Sequence, residues 1–240
     1  MPDQFRISVN ASPADIFHNF PIRKGEKSQL IIYGKHSYGT ESISIQSWME
    51  GGHLFIGSFC SFADNIKVFF GGAHRTDFAS TYPFSINYLF PDGHQACLNG
   101  HPRTKGHVII GNDVWIGQDT CILSGVTIAN GAVIGARSVI TKNIPAYHIV
   151  AGNPARIIRP RFDKALIDEL EKLKWWELSD HSINSLSPLL QQSLNVQVME
   201  LIITQVNQPP CISKEVRSYQ RNQGVQPMNN ETDLRRQISW

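Results

Sequence analysis

The sequence predicts an all-β parallel β-helix carrying one long excursion loop, with α-helices at its C-terminal end. Three observations predict it: an aliphatic residue at every sixth position, one interruption of that period, and helical periodicity after it stops. From Ile110 the chain reads IGNDVW, IGQDTC, ILSGVT, IANGAV, IGARSV and ITKNIP, so isoleucine recurs at Ile110, Ile116, Ile122, Ile128, Ile134 and Ile140. Four residues after each stands Val114, Thr120, Val126, Ala132, Ser138 or Ile144, mostly small or β-branched. A period of six matches neither the 3.6 residues of an α-helical turn nor the alternation of an isolated strand. It matches short strands joined by turns, each strand forming one side of a three-sided prism with one aliphatic side chain inward. One circuit of such a prism cannot close its own core, so successive coils must stack. Each isoleucine buried in this way contributes roughly 1.5–3 kcal/mol.

An earlier stretch obeys the same rule: IGSFCS from Ile56, FADNIK from Phe62 and VFFGGA from Val68, with a degenerate start from Ile31 to Gly39. Residues 1–30 therefore read as an N-terminal extension and residues 31–160 as the β-helical domain. Within that domain the loop 74–106 breaks the period with a segment rich in aromatics, proline, glycine and histidine. A long excursion from a regular scaffold carries function, because the scaffold does not need it. Residues 161–204 read as helices: Leu166, Ile167, Leu170 and Leu173 share one face behind a capping Asp163, and a second helix is expected from about Ile183 to Ile203. Residues 205–240 have little apolar pattern and read as a loosely ordered tail.

Composition bounds the function. Lys and Arg number 22 against 20 Asp and Glu, a net charge of +2, which argues against a nucleic-acid binder or a polybasic membrane-surface protein. The four cysteines, Cys60, Cys97, Cys121 and Cys211, are scattered, giving neither a zinc signature nor a disulfide framework. That usage points to inert thiols in a reducing compartment, and the cytoplasm is the expected location. The N-terminal stretch has no basic start followed by an apolar run, and no segment has membrane-spanning length.

The motifs YGKHSYG, IGSFCSFA, AHRTDFASTYPF (Ala73 to Phe84), KGHVIIGNDVWIG, VIGARSVI, AGNPARIIRPRFD and KWW resemble those of the hexapeptide-repeat acyltransferases. The branch they resemble is the xenobiotic acetyltransferases, which includes streptogramin and chloramphenicol acetyltransferases and enzymes acetylating surface glycans. The resemblance spans about Ile31 to Trp176. It implies a left-handed coil, against the usual crossover rule, a homotrimer, and acetyl-CoA in a groove between neighbouring subunits. No metal is implied.

Acetyl transfer from a thioester to a hydroxyl needs a base for the acceptor proton, and a histidine's ordinary pKa, about 6.5, suits that task. Nine histidines are present, and residue chemistry alone does not choose among them. His74 stands where the family keeps its catalytic histidine. Asp77, three residues on, either orients that imidazole or caps a turn. Trp115, at the outward last position of its hexapeptide, is implied to wall the groove beside the acyl group. Gly135, Ala136, Asn153, Pro154 and Ala155 fall where the family's backbone meets the pantetheine arm, and small residues there let the co-substrate lie close. Arg137, Lys142, Arg156, Arg159 and Arg161 form a basic cluster in sequence that suits the phosphates of CoA. Tyr38, Trp48 and Tyr82 are candidate walls of the acceptor pocket, with core or trimer packing as the alternative. His107 departs from the acidic residue expected of relatives at its position, and the loop Tyr88–His101 is equally individual.

The expected function is acetyl-CoA-dependent O-acetylation by direct transfer, with a sugar hydroxyl of a surface polysaccharide or its precursor as acceptor. An antibiotic hydroxyl or an amino-sugar nitrogen is the alternative acceptor. A zinc enzyme on the same coil needs three converging histidines, and the hexapeptides hold no matching pair. A non-catalytic trimeric scaffold is disfavoured by the intact AHRTDFASTYPF block.

Overall fold

The computed structural model describes residues 4–9, 29–48, 51–84, 89–94 and 103–207. The expected 208–240 part of the tail, residues 95–101 of the individual loop, Cys97 and Cys211 lie outside them.

Short strands stack on three faces of a prism. The first face carries β1 (Gln4–Val9), β2 (Gln29–Gly34), β4 (Leu54–Ile56), β7 (Val108–Ile110) and β10 (Thr127–Ile128). The second carries β5 (Ser61–Phe62), β8 (Trp115–Ile116), β11 (Val133–Ile134), β13 (His148–Gly152) and β14 (Ala155–Pro160). The third carries β3 (Ile43–Gln46), β6 (Ile66–Phe69), β9 (Cys121–Ile122) and β12 (Val139–Ile140). All neighbours pair in parallel except β13 with β14, which form an antiparallel hairpin.

The register lines the isoleucines into columns. Ile56 pairs with Ile110 and Ile110 with Ile128; Phe62, Ile116, Ile134 and Val150 follow one another on the second face; Val68, Ile122 and Ile140 on the third. These side chains are buried and form one core down the prism axis. Thr120 and Ser138 also point inward, and their hydroxyls donate to the Gly117 and Gly135 carbonyls at 2.7 and 2.6 Å. A buried hydroxyl is tolerated there because the turn supplies its acceptor.

Three edges join the faces, and each is finished differently. The edge from first to second face carries an amide ladder. Asn112 Oδ1 accepts from the Ser58 N–H at 2.8 Å, and Asn130 Oδ1 accepts from the Asn112 N–H at 2.9 Å. Asn130 Nδ2 then donates to Glu171 at 3.1 Å. Glu171 belongs to α1 (Lys164–Leu173), whose N-terminus is capped by Asp163 accepting from the Leu166 N–H. On the same edge Trp175 packs on Phe59, and Lys35 Nζ donates to the Leu178 carbonyl at 2.8 Å and to Asp180. The C-terminal helices thus close this edge.

The helix expected over 183–203 is instead two, α2 (Asp180–Leu190) and α3 (Val196–Asn207). The break has a local cause. Asn195 accepts from the Val198 N–H at 2.9 Å, starting a new helix by capping it.

The edge from third to first face releases the excursion. Its base is pinched by antiparallel pairing of Ala73 with Arg103, with N–H···O distances of 3.3 and 2.8 Å. Its returning end rests on the coil above, where the Lys105 N–H donates to Ser124 Oγ and the Gly125 N–H to the Gly106 carbonyl. A Cβ at Gly125 would stand 2.5 Å from Lys105 Cβ, so this seam needs glycine.

Candidate active site

His74 lies immediately above the pinched base and is exposed. Its Nδ1 stands 2.6 Å from the Thr81 carbonyl oxygen. A carbonyl only accepts, so Nδ1 carries the hydrogen and the lone pair of the neutral ring sits on Nε2. That tautomer is the one a base directed outward requires. Thr81 was invisible to sequence reasoning, because nothing about a threonine marks its carbonyl.

Asp77 does not contact the imidazole. Its carboxylate is gripped by the Arg75 guanidinium, with Nε at 2.7 Å from Oδ1 and a second contact to Oδ2, and Arg103 approaches at 3.7 Å. These cations hold the Asp77 carboxyl well below the usual carboxylate range, the Arg75 hydrogen bond being the largest cause. Arg75 also lies over the Phe78 ring. The carboxylate thus meets cations and not the imidazole directly.

Of the three aromatic candidates, two join this edge. Trp48 packs over the neck: a Cβ at Gly72 would stand 2.6 Å from its ring. Tyr82 directly follows Thr81 and makes edge contacts with Phe84 and Phe90, at centroid distances of 4.9 and 6.4 Å. Tyr38 lies elsewhere, on the second face. It pairs with Ser61, which pairs with Trp115, so both rings stand outward on one column with a serine between them. Trp115 is 56% exposed and Tyr38 65%.

The edge from second to third face is narrow and built of small residues. A Cβ at Gly117 would lie 2.6 Å from Ala136 N, and one at Gly135 2.8 Å from Ala151 Cβ. Arg137 stands exposed there, 3.6 Å from Asp119; Asn153 and Pro154 form the exposed tip of the β13–β14 hairpin, and Ala155 behind them is half-buried against the core. Arg156 and Arg159 are exposed on β14, their guanidinium groups touching only neighbouring carbonyls among the bonds described.

The basic cluster of the sequence does not stay together. Arg161 turns inward on the helix-covered edge, donating to the Gly131 carbonyl at 2.7 Å and pairing with Asp113 at 3.3 Å. Burial pushes the Asp113 carboxyl up, and Arg161 opposes that. Lys142 follows β12 and sits on the excursion edge, away from Arg156. Arg137, Arg156 and Arg159 remain as cations for an anionic group.

His107 has a packing role. Its Nδ1 accepts the His53 N–H at 2.9 Å, and the two rings stack at 5.2 Å. Burial pushes its pKa down. A carboxylate in this half-buried stack would lack that partner ring. Cys60 is fully buried, which pushes its thiol up to about 12, and makes it a poor nucleophile. Among the described residues no group of His, Cys, Asp or Glu side chains has a metal-binding arrangement, and no helix is long and apolar enough to cross a membrane.

The geometry of the prism separates these parts. The excursion leaves the edge between third and first faces, and the second face lies opposite that edge. His74 and Trp115 of one chain are therefore on opposite sides of the coil.

Residues 107–142 match the family model described as bacterial transferase hexapeptide (six repeats). The chain is 36% identical to a chloramphenicol acetyltransferase of Agrobacterium fabrum, over 72% of this chain and 88% of that protein. It is 43% identical to the virginiamycin A acetyltransferase of Staphylococcus aureus, over 58% and 64%. With the galactoside O-acetyltransferase of Escherichia coli K12 it shares 29% identity over 68% and 92%.

Proposed function

Since the chain belongs to the hexapeptide-repeat acetyltransferases and is an acetyl-CoA-dependent acyltransferase on a left-handed β-helix, we propose that it transfers acetyl directly to an acceptor hydroxyl with His74 as general base. The observation that carries this reading is the 2.6 Å contact between His74 Nδ1 and the Thr81 carbonyl. With Nδ1 committed, Nε2 takes the hydroxyl proton as the oxygen attacks the thioester carbon. A backbone amide holds the resulting oxyanion. Collapse breaks the carbon–sulfur bond, and the imidazolium returns the proton to the departing CoA thiolate. The high thiol pKa of Cys60 supports direct transfer over an acyl-enzyme.

The catalytic unit is a homotrimer in this reading. Trp115 and the small-residue edge receive the acyl-pantetheine arm of acetyl-CoA, yet they face away from His74 of the same chain. A neighbouring copy that sets its excursion edge against this face completes the site. Light scattering is expected to return three times the 26.9 kDa chain mass. A stable, fully active monomer would overturn the shared site.

Arg156 and Arg159 are proposed to meet CoA phosphates, because both are exposed and each guanidinium is bonded only to an adjacent backbone carbonyl among the bonds described. Changing both to alanine is expected to weaken acetyl-CoA binding by about tenfold in calorimetry, the size of one to two charge-assisted contacts partly screened by solvent. Turnover at saturating acetyl-CoA should change far less. Unchanged affinity would move the phosphate site elsewhere.

The acceptor is proposed to be a sugar hydroxyl of a surface polysaccharide or its precursor. The galactoside enzyme's similarity and the exposed rings beside Thr81, suited to pyranose C–H faces, support it. The names of the relatives at 36% and 43% identity favour a second reading, an antibiotic hydroxyl. Free-thiol release from acetyl-CoA across oligosaccharides, nucleotide sugars, chloramphenicol and streptogramins distinguishes the two.

A further inference from the structure

We propose that Asp77 is a positioning residue for the transfer, acting through the loop 75–80 to hold the Thr81 carbonyl on His74. This rests on the reading of His74 as the base. The contacts close a ring. Arg103 is fixed by its backbone to Ala73, the residue before His74. The Asp77 carboxylate meets the Arg75 guanidinium at both oxygens and the Arg103 guanidinium at Oδ1, 3.7 Å away. From Asp77 the chain runs four residues to Thr81, whose carbonyl returns to His74 Nδ1. The Tyr82 N–H bonding Ser80 Oγ at 3.1 Å tightens the last turn of that path.

Asp77 is the joint of this ring. Removing its charge takes away the carboxylate that the two guanidinium groups share. Their repulsion opens the ring at the point that sets the Thr81 carbonyl. A histidine whose Nδ1–H loses its acceptor exchanges between tautomers, and the Nδ1-basic form points its lone pair into the loop. The cost then falls on turnover, since the loop sets which imidazole nitrogen is basic and supplies none of the residues assigned to the acetyl-CoA groove. Asp77 and Arg103 stand at the surface and Arg75 belongs to the excursion, outside the prism core, so global stability is not where the effect should read.

The test uses the full-length trimer and the Asp77→Asn, Asp77→Glu and Arg103→Gln variants. Asp77→Asn is expected to lower kcat by roughly tenfold or more, with the KM for acetyl-CoA within about twofold of wild type. Imidazole ¹⁵N signals assigned by their loss in His74→Ala should move from the Nδ1–H tautomer toward a tautomeric average. Asp77→Glu should restore much of both readouts, and Arg103→Gln should shift both in the same direction by less. Wild-type kcat in Asp77→Asn, or a loss of kcat with the tautomer signal unmoved, overturns the proposal. If Asp77→Asn does not assemble, the same pair of readouts on Arg103→Gln decides it. Should His74→Ala retain turnover, the base reading falls by itself. The tautomer signal would still report whether Asp77 holds the ring: movement supports the clamp, and an unmoved signal ends it.

Discussion

Replacing His74 with alanine is expected to lower turnover by roughly 10²–10⁴-fold, the usual contribution of a positioned general base. The coil should survive, because His74 belongs to the excursion and is exposed, while the prism core is made of the aliphatic columns. Trimer mass and the thermal midpoint should therefore stay near wild type. Acetyl-CoA should still bind, since the contacts assigned to Trp115, the Gly117–Ala136 edge and Arg156 do not use the imidazole. A variant that keeps most of its turnover on an acceptor the wild type uses would make His74 structural. Steady-state thiol release, run beside calorimetry of acetyl-CoA, reads both outcomes.

How much of this was legible in the sequence follows from what each feature depends on. The prism was legible because burial imposes a period: one inward aliphatic per face repeats every six residues, and Ile110 through Ile140 display it without help from distant parts of the chain. The amide ladder was equally periodic, with Asn112 and Asn130 one full circuit apart, and an eighteen-residue self-comparison of polar positions would have found it. Membership of an edge follows from where a residue falls between strands, so Lys142 is separable from Arg137 once the faces are assigned. The Arg161 inward turn is not separable in that way. It depends on Asp113, forty-eight positions earlier, being left in the corner beneath it. The tautomer of His74 depends on a backbone carbonyl in an irregular loop, where no period operates and side-chain identity says nothing about the partner. The sequence does carry the resemblance that singles out His74 from nine histidines, and the fold then supplies the reason that one nitrogen is basic.

The largest expected stability effect lies in the column, not in the site. Ile122 is fully buried on the third face, between Val68 below and Ile140 above. Ile122→Ala removes three carbons from the middle of a stack whose neighbours are held at fixed rungs by parallel backbone pairing. Those rungs cannot collapse into the gap without breaking register on all three faces, so the cavity stays open. Substitutions of this kind cost about 2–5 kcal/mol, and the rigid surroundings place this one in the upper half of that range. For a domain of this size that corresponds to a fall of roughly 7–20 °C in the thermal midpoint. Trp115→Ala is the matched comparison. It deletes a larger side chain, but one that is 56% exposed in a single chain, so the unfolding of the isolated coil should scarcely notice it. What Trp115→Ala should weaken is acetyl-CoA binding and the contact between copies. Calorimetric unfolding of the two variants at equal protein concentration separates the columns from the faces. A midpoint for Ile122→Ala within about 2 °C of wild type would mean that the coil repacks freely. The coil would then not be the rigid, register-locked scaffold that holds the excursion in place.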